Sequence, residues 1–484
     1  MRHRFSLRER AVLFRVADIA AEYKCDIYLV GGFLRDLLLG RKSRDIDFAV
    51  RKGAVALARK TANRLRAGFV VLDKRRGCAR VIIRRGDKGL ILDFTDFRGR
   101  DIEQDLAARD FSINALAVDL ALLRKGRRLR DVLLDPYRAA ADIENGCLRL
   151  ISPQAIDEDP LRMLRAFSPA ATLGFSFAPQ TLTAITRKRR RLSSVSAERV
   201  REELFKMLAA ERAAMSFRRL DKAGLLEVII PEIKAMRGLP QGPYHHLNVL
   251  QHCFETMEKI EGLFEELKRR RRIGKYLDEA CGGDHCRRQI LKLSAFLHDV
   301  GKPAAMSVER DRTRFHGHEH IGRRLSAAIC ARLKMSLREI QAIKTIVSWH
   351  LRPGYLADNP VITPRALFRY FRDTAEEGVS VLLLSIADQR ATRGPLTSRG
   401  SRIVHEKTCL RLINEYFRRR QERVAPRLIT GNDLINRLHL APGPIFGKIL
   451  KQVEEEQAAG NLSVKRDALV FARRLSHRLS GRRA

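Results

Sequence analysis

Apolar positions change period along this chain. From Tyr28 to about Asp135, short β-branched runs at 69–72, 79–83 and 90–95 alternate with helical stretches such as 54–65. That alternation predicts a mixed sheet flanked by helices. Beyond Glu158 the strand signal stops and helical patterns follow one another. The expected fold is an α+β N-terminal part followed by an all-α body. Clusters of Pro, Gly and Ser near 150, 240 and 400 mark boundaries. They divide the chain into expected domains at 1–145, 146–240, 245–395 and 400–484. The 484 residues leave room for about three or four domains at the usual ~100–200 residues each. No internal repeat is visible.

The densest chemistry lies early. The run from Tyr28 to Gly40 is a strand-like apolar segment ending in the pair Gly31, Gly32, followed by Arg35 and Asp36 and then by Asp45 and Asp47. A Gly pair lets a phosphate approach the backbone closely, and carboxylates at i and i+2 of a strand share a face. Asp45 and Asp47 can therefore reach Mg²⁺, and paired ions stabilise both the attacking and the leaving oxygen of an in-line phosphoryl displacement. The alternative is a Gly-rich turn beside two solvated aspartates. Asp93 stands inside a strand-like run, where a carboxylate is unexpected unless it faces a polar site, and is the natural third acid. On a helix, Arg109, Asp110 and Asn114 fall within one turn of each other. They offer a cation for phosphate and polar groups for ribose. Asp159, Arg162 and Arg165 are spaced to share one helical face, and a carboxylate beside a guanidinium can read a base edge. An ordinary surface salt bridge is the alternative there.

Charge names the company these groups keep. Lys and Arg number 94 against 56 Asp and Glu, for a formal charge of +38 and a pI near 10.7, spread along the whole chain. Polyanionic partners are implied. Arg187, Lys188, Arg189, Arg190 and Arg191 form the basic run expected to take RNA phosphates, although such runs are commonly solvated helix faces. A single Trp argues against a base-stacking platform. No segment reaches the ~18–20 uninterrupted apolar residues of a membrane span. Met1 to Arg10 lacks the apolar core of a signal peptide, so a cytoplasmic location is expected. Eight scattered Cys fit reduced packing thiols; Cys281, Asp284, His285 and Cys286 offer metal ligands in principle but have no matching second pair. A second constellation comprises His252, the pair His298-Asp299, His316, His318, His320, His350 and Asp388. Imidazole and carboxylate suit Mn, Fe, Ni, Zn or Mg.

The order of these elements resembles the class II nucleotidyltransferases, the family of bacterial CCA-adding enzymes, their CC-only and A-only relatives, and bacterial poly(A) polymerases. The likeness rests on Gly31, Gly32, Arg35 and Asp36, on Asp45 and Asp47, on Asp105, Arg109, Asp110 and Asn114, on Glu158, Asp159, Arg162 and Arg165, and on Glu198, Arg199, Glu203 and Lys206. It spans roughly residues 25–240. It implies a polymerase-β-like nucleotidyltransferase head, a helical neck in which Asp159 and Arg162 select CTP and then ATP, and the tRNA acceptor arm as substrate. Residues 245–395 resemble the HD phosphohydrolase domain. That likeness implies a divalent transition metal or Mg²⁺ on His252, His298, Asp299 and Asp388, with His318 and His350 around it or on a second metal. The tail from Leu428 to Leu450 is similar to the C-terminal helical module of these enzymes, and its Gly-Asn-Asp start reads as a helix N-cap.

Two departures from the family pattern matter. Ser168 and Pro169 stand where relatives carry a basic segment, and Pro169 is expected to break the helix. Only seven residues, 98–104, separate Phe97 from Asp105, where many CCA-adding relatives have a longer flexible loop that resembles a lever for switching from CTP to ATP and CC-adding relatives lack it. The short connector tilts the expectation toward addition of CC. The competing readings are a poly(A) polymerase, an HD phosphohydrolase with an RNA-binding first half, and a non-catalytic RNA-binding scaffold. An HD domain that is only structural is a further alternative.

Overall fold

The computed structural model describes residues 5–84, 89–283, 285–309, 312–421 and 426–480, and the chain forms two compact units. The first comprises Met1–Met207 with Arg219–Ile229 and the second Leu208–Arg218 with Ile230–Ala484.

A seven-stranded sheet organises the first unit. Its strands are β1 (Ile27–Val30), β2 (Asp45–Val50), β3 (Gly68–Asp73), β4 (Cys78–Ile83), β5 (Leu90–Asp96), β6 (Ala117–Asp119) and β7 (Leu133–Leu134). The order is β3-β4-β5-β2-β1-β6-β7, with β2 and β5 parallel and the other pairs antiparallel. Period-2 alternation sorts β2 into two faces: Ile46 and Phe48 are fully buried, and Asp45 and Asp47 point the other way. The parallel register sets Asp47 beside Asp93 on one face and Phe48 beside Phe94 on the other, where the two rings stack at 4.9 Å. Helix α1 (Leu7–Glu22) is opened by a Ser6/Glu9 capping box and buries Leu13, Val16 and Ile19. Helix α2 (Gly32–Leu38) starts at the Gly pair, and α3 (Ala54–Leu65) buries Leu57 and Ala58.

Three expectations about local structure need correction. The chain from Asp105 to Asn114 is not one helix: α4 (Ile102–Ala107) ends, and a 3₁₀ turn takes Ser112–Asn114. Nor do Asp159, Arg162 and Arg165 share a helix. Asp159 is extended (φ −146°, ψ 97°) at the end of the helix Gln154–Glu158, because Pro160 disfavours the helical region for the residue before it. A new helix then carries Arg162–Arg165, and another, Phe167–Leu173, begins after an interruption at Ala166. Pro169 donates no hydrogen bond to the Arg165 carbonyl, which is why the break falls there. Strands also do not stop at Glu158: Ser176–Phe177 pairs in parallel with Cys147–Leu148, and Ser307–Glu309 pairs with Arg312–Arg314.

The second unit is helical. Val249–Leu267, Arg287–Leu297, His318–Arg332, Leu337–Trp349 and Gly378–Ala391 pack around a core that includes Phe254, Phe296, Ile343 and Leu383. Every residue from Gly378 to Ala387 is buried, as a central helix requires. Gly301 permits a close approach here, since a Cβ would lie 2.1 Å from the His318 carbonyl. The tail helices Gly431–Leu438, Pro444–Ala458 and Lys465–Ser480 share their own core of Leu434, Ile449, Val453 and Ala472. Its first helix is capped by Thr430 and Asp433 rather than by the Gly431-Asn432 start. Among the described residues no helix is long and apolar enough to cross a membrane.

Candidate active sites in the two units

The exposed face of the sheet opens into a cavity of about 660 Å³ whose lining includes Gly31, Arg35, Asp45, Asp47, Asp93 and Arg109. Gly31 has φ +74°, and a Cβ there would meet the Arg109 guanidinium at 3.0 Å and the Asp47 carboxylate at 3.1 Å. The turn thus exists because a residue without a side chain occupies it. Arg35 donates to Asp36 at 2.8 and 3.0 Å and to Asn114 Oδ1 at 3.0 Å. Asn114 in turn donates to Asp110 at 3.1 Å, and Asp110 pairs with Arg165 at 2.8 Å. One polar chain therefore runs from the Gly turn to the neck. Asp105, nearly fully buried, anchors Arg109 at 2.9 Å and accepts from the Arg98 amide at 3.1 Å.

Electrostatics differ between the acids. Burial pushes Asp47 up to about 6, against the pull of Arg109, and burial with the nearby Asp93 charge raises Asp45. Ionised carboxylates so placed lack a sufficient counter-charge, which is the situation a divalent cation relieves; the pair fits such an ion. Burial also acts upward on Asp110, but Arg165, Asn114 and the Phe111 amide outweigh it and hold the carboxyl below its usual range. Asp93 lies on the expected face, yet both its oxygens accept from Arg80 at 2.8 Å. It reaches the cavity as one half of an ion pair with Arg80.

The base-selecting pair is not a pair here. Arg162 is buried, donates to the Ala108 carbonyl at 3.0 Å and lines the cavity together with Arg165 and Lys206. Asp159 is not among the residues lining that cavity; it accepts from Arg199 at 2.8 Å, and this bond overcomes burial to lower its pKa. Ser168 has a structural role in place of a cation: its hydroxyl donates to Glu203 at 3.1 Å, and Glu203 holds Lys206 at 2.8 Å. The basic run divides as well. Lys188 and Arg191 both pair with Asp157, Arg189 caps Thr186, and Arg187 and Arg190 are exposed.

In the second unit two sets of ligand atoms each lie within 4.8 Å of one another among the described residues: His252, His298 and Asp299, and Asp299, His318 and His350. Asp388 completes the cluster, 2.9 Å from His252 and 3.7 Å from His298. Helix ends supply most of these groups: His298 and His350 terminate helices, and His318 begins one. The Nδ1 atoms of His298, His318 and His350 each lie 2.7–2.9 Å from the carbonyl three residues earlier. A carbonyl only accepts, so Nδ1 carries the proton and each Nε2 lone pair faces the cluster. His298 Nε2 lies 3.2 Å from Asp299 Oδ2, an oxygen that Lys302 Nζ also approaches at 2.6 Å, and a ring lone pair set against a carboxylate oxygen is the arrangement that a metal ion between them relieves. The cluster fits a divalent ion. Burial above all lowers His350 to about 3, which keeps it neutral and able to ligate. His316 and His320 stay outside the cluster. The Cys281 to Cys286 loop gathers no metal-ligand set among the described residues: His285 is 2.6 Å from Glu339, and Asp284 lies outside those residues.

Family models match the chain in order: the poly A polymerase head domain over 27–149, the RNA- and SrmB-binding site of polymerase A over 174–237, the HD domain over 249–393, and tRNA nucleotidyltransferase domain 2 over 425–472. The chain is 32% identical over 460 residues to the A-adding tRNA nucleotidyltransferase of Deinococcus radiodurans, covering 94% of this chain and 96% of that one. This chain is a class II tRNA nucleotidyltransferase with an HD domain. It is 30% identical to the CC-adding tRNA nucleotidyltransferase of Thermus thermophilus, over 92% of this chain and 93% of the relative. A CCA-adding enzyme solved with ATP superposes with a TM-score of 0.64 at 18% identity, over 96% and 95% of the two chains. The mixed sheet followed by helices is the fold of this family.

Sequence reasoning missed several groups of this nucleotidyltransferase. Arg80 was signalled by a cation inside the apolar strand 78–83, but its pairing with Asp93 depends on the β4–β5 register. Lys302 is buried and bonds both Asp299 and Gln241 at 2.6 Å. His245 packs edge-on against His252 at 4.8 Å, and burial lowers it to about 3.

Proposed function

We propose that this chain extends tRNA 3′ ends from CTP, and that it adds CC and then stalls. The observation supporting the reaction is the single cavity that gathers Asp45, Asp47, Gly31 and Arg109. Asp45 and Asp47 would hold Mg²⁺, which would supply positive charge for the phosphate and lower the cost of ionising the 3′-hydroxyl. The Gly31 turn leaves room for the triphosphate, and Arg35 and Arg109, pre-oriented by Asp36, Asn114 and Asp105, hold it in line. The 3′-hydroxyl gives its proton to solvent, its oxygen bonds the α-phosphorus, the bond to the β-phosphate bridge breaks, and pyrophosphate leaves with the electron pair. Arg162 and Arg165 face the base, and Asp159 joins them if Arg199 releases it. The four segments 1–145, 146–240, 245–395 and 400–484 act as head, neck, HD and tail. The free cysteines suit a reducing cytoplasm.

The stall rests on the 98–104 connector. Arg98 and Arg100 donate their amides to Asp105 and Gln104, and Asp101 caps α4. Half of the short connector is therefore helix and cap, with little slack for a lever. The test offers tRNA transcripts ending at the discriminator base, at C and at CC with each labelled triphosphate. Expected are two C additions and almost no A; efficient single-A completion of the CC-ended tRNA overturns the specificity. The A-adding relative favours a second reading, A addition onto CC ends only. That reading predicts no C incorporation on any of the three. We further propose that the HD cluster holds a divalent metal and hydrolyses phosphoesters.

A further inference from the structure

A second cavity, of about 840 Å³, lies in the helical unit between Val249–Leu267, the end of Gly378–Ala391 and the long helix Arg399–Arg419. Its cations fall into two groups. Arg390 forks onto Glu266 at 2.8 and 2.9 Å and onto Glu406 at 2.7 Å, and Lys259 pairs with Glu255 at 2.8 Å. These are internal braces. Arg393 donates to the Arg390 carbonyl at 3.2 Å and its charge helps lower Glu255, whereas Arg399, Arg402 and Lys407 also line the cavity and, among the described residues, form no ion pair with a carboxylate. Arg399 and Arg402 stand in the first turn of their helix, which holds no acid, so both oppose the positive end of the helix dipole. Like charges gathered in one concavity, two of them at the positive end of a helix, repel one another, and a bound polyanion relieves that repulsion.

We propose that this cavity seats consecutive backbone phosphates of the tRNA, a contact that rests on the tRNA-extending reading above. Two features select the polyanion. From Arg399 to Lys407 the helix rises about 12 Å, too far for a single phosphate to bridge and suited to neighbouring phosphates along a strand. The lining holds no aromatic side chain, and its two carboxylates are engaged by Arg390. Nothing there stacks on a base, so the contact reads the backbone and carries affinity rather than sequence.

The test is the triple variant Arg399→Ala, Arg402→Ala, Lys407→Ala in the full chain. Its tRNA Kd should rise about tenfold near 0.1 M salt, and the slope of log K against log salt should flatten by about 2 to 3. The lysine version, Arg399→Lys with Arg402→Lys, should stay within about twofold of wild type. The KM for CTP and kcat at saturating tRNA should not move. Wild-type tRNA affinity and salt slope in a triple variant that still incorporates CTP overturn the proposal. A second arm titrates CTP and pyrophosphate without tRNA; a drop from two bound ligands to one in the variant makes the cavity a free-nucleotide seat and also overturns it. Binding is read apart from incorporation. A wild type that binds tRNA but adds nothing sinks the function proposed above and leaves this site standing.

Discussion

At Gly31 a backbone turn, the Arg109 guanidinium and the Asp47 carboxylate converge, and a methyl group there would press on both at 3.0 and 3.1 Å in a φ of +74° that strains any side chain. Gly31→Ala should therefore reduce incorporation by at least about a hundredfold while tRNA affinity, spread over many cations, changes little. Steady-state incorporation beside a filter-binding isotherm checks this, and parallel loss of both would mean a general folding defect. Arg162 lies under different constraints: it is held by Ala108 and by Glu158 at 3.3 Å and reaches the cavity without Asp159. Arg162→Ala should lower the preference for CTP over the other triphosphates more than it lowers kcat with CTP. A uniform loss across four nucleotides would assign Arg162 to structure. At this scale the sequence was readable wherever one local rule decided the outcome, as for Asp45 and Asp47 at i and i+2 or the Gly pair. It was unreadable where a partner came from elsewhere in the fold. Arg80 cancels Asp93, Arg199 captures Asp159 and Lys302 counters Asp299 only because tertiary structure brings them together.

Elements repeat that lesson with caps and breaks. The strands at 69–72, 79–83 and 90–95 and the helix at 54–65 follow their periods within a residue or so. The false helix through Asp159 arose from reading spacing alone, although the Pro160 beside it already argued against a helical Asp159. The Asp105 to Asn114 stretch is different, because its fold-back depends on Asp110 bonding its own Phe111 amide and Asn114, which spacing does not express. In the tail, Thr430 and Asp433 form a reciprocal capping box, and Lys465 binds Asp433 at 2.5 Å. Those bonds lower Asp433 to about 2, so its contribution is complete above the ordinary carboxylate range and is lost only as pH falls toward 2. Thr430→Ala should cost about 1 kcal/mol at neutral pH, felt chiefly in the Gly431–Leu438 helix. Hydrogen exchange resolves this best, since a multi-domain chain has no single unfolding transition. Faster exchange confined to the tail is expected, and unchanged exchange there would show that the cap contributes nothing.

Across the whole molecule the two candidate centres fall in different compact units, the carboxylate pair in the first and the His/Asp cluster in the second. Each is built to a different electrostatic plan. The first is an open cavity in which acids face several guanidiniums, and the second is a closed cluster whose His252, His298, Asp299 and His350 are almost inaccessible. Asp299 touches His298, His318 and Lys302 together, so its removal affects the entire cluster. Asp299→Ala would leave the Lys302 ammonium buried with only Gln241 as partner, a strongly destabilising change in its own right. Asp299→Asn keeps the shape and a hydrogen-bond acceptor, which makes His298→Ala with Asp299→Asn the sharper variant. It should lose at least about tenfold in bound divalent metal, measured by elemental analysis after dialysis, together with any phosphodiesterase activity. CTP incorporation into tRNA should remain within about twofold, because no residue of the first cavity belongs to the second unit. If incorporation fell in step with the metal content while the protein stayed folded, the two centres would be coupled. The HD cluster would then be a part of the transferase rather than a second activity beside it.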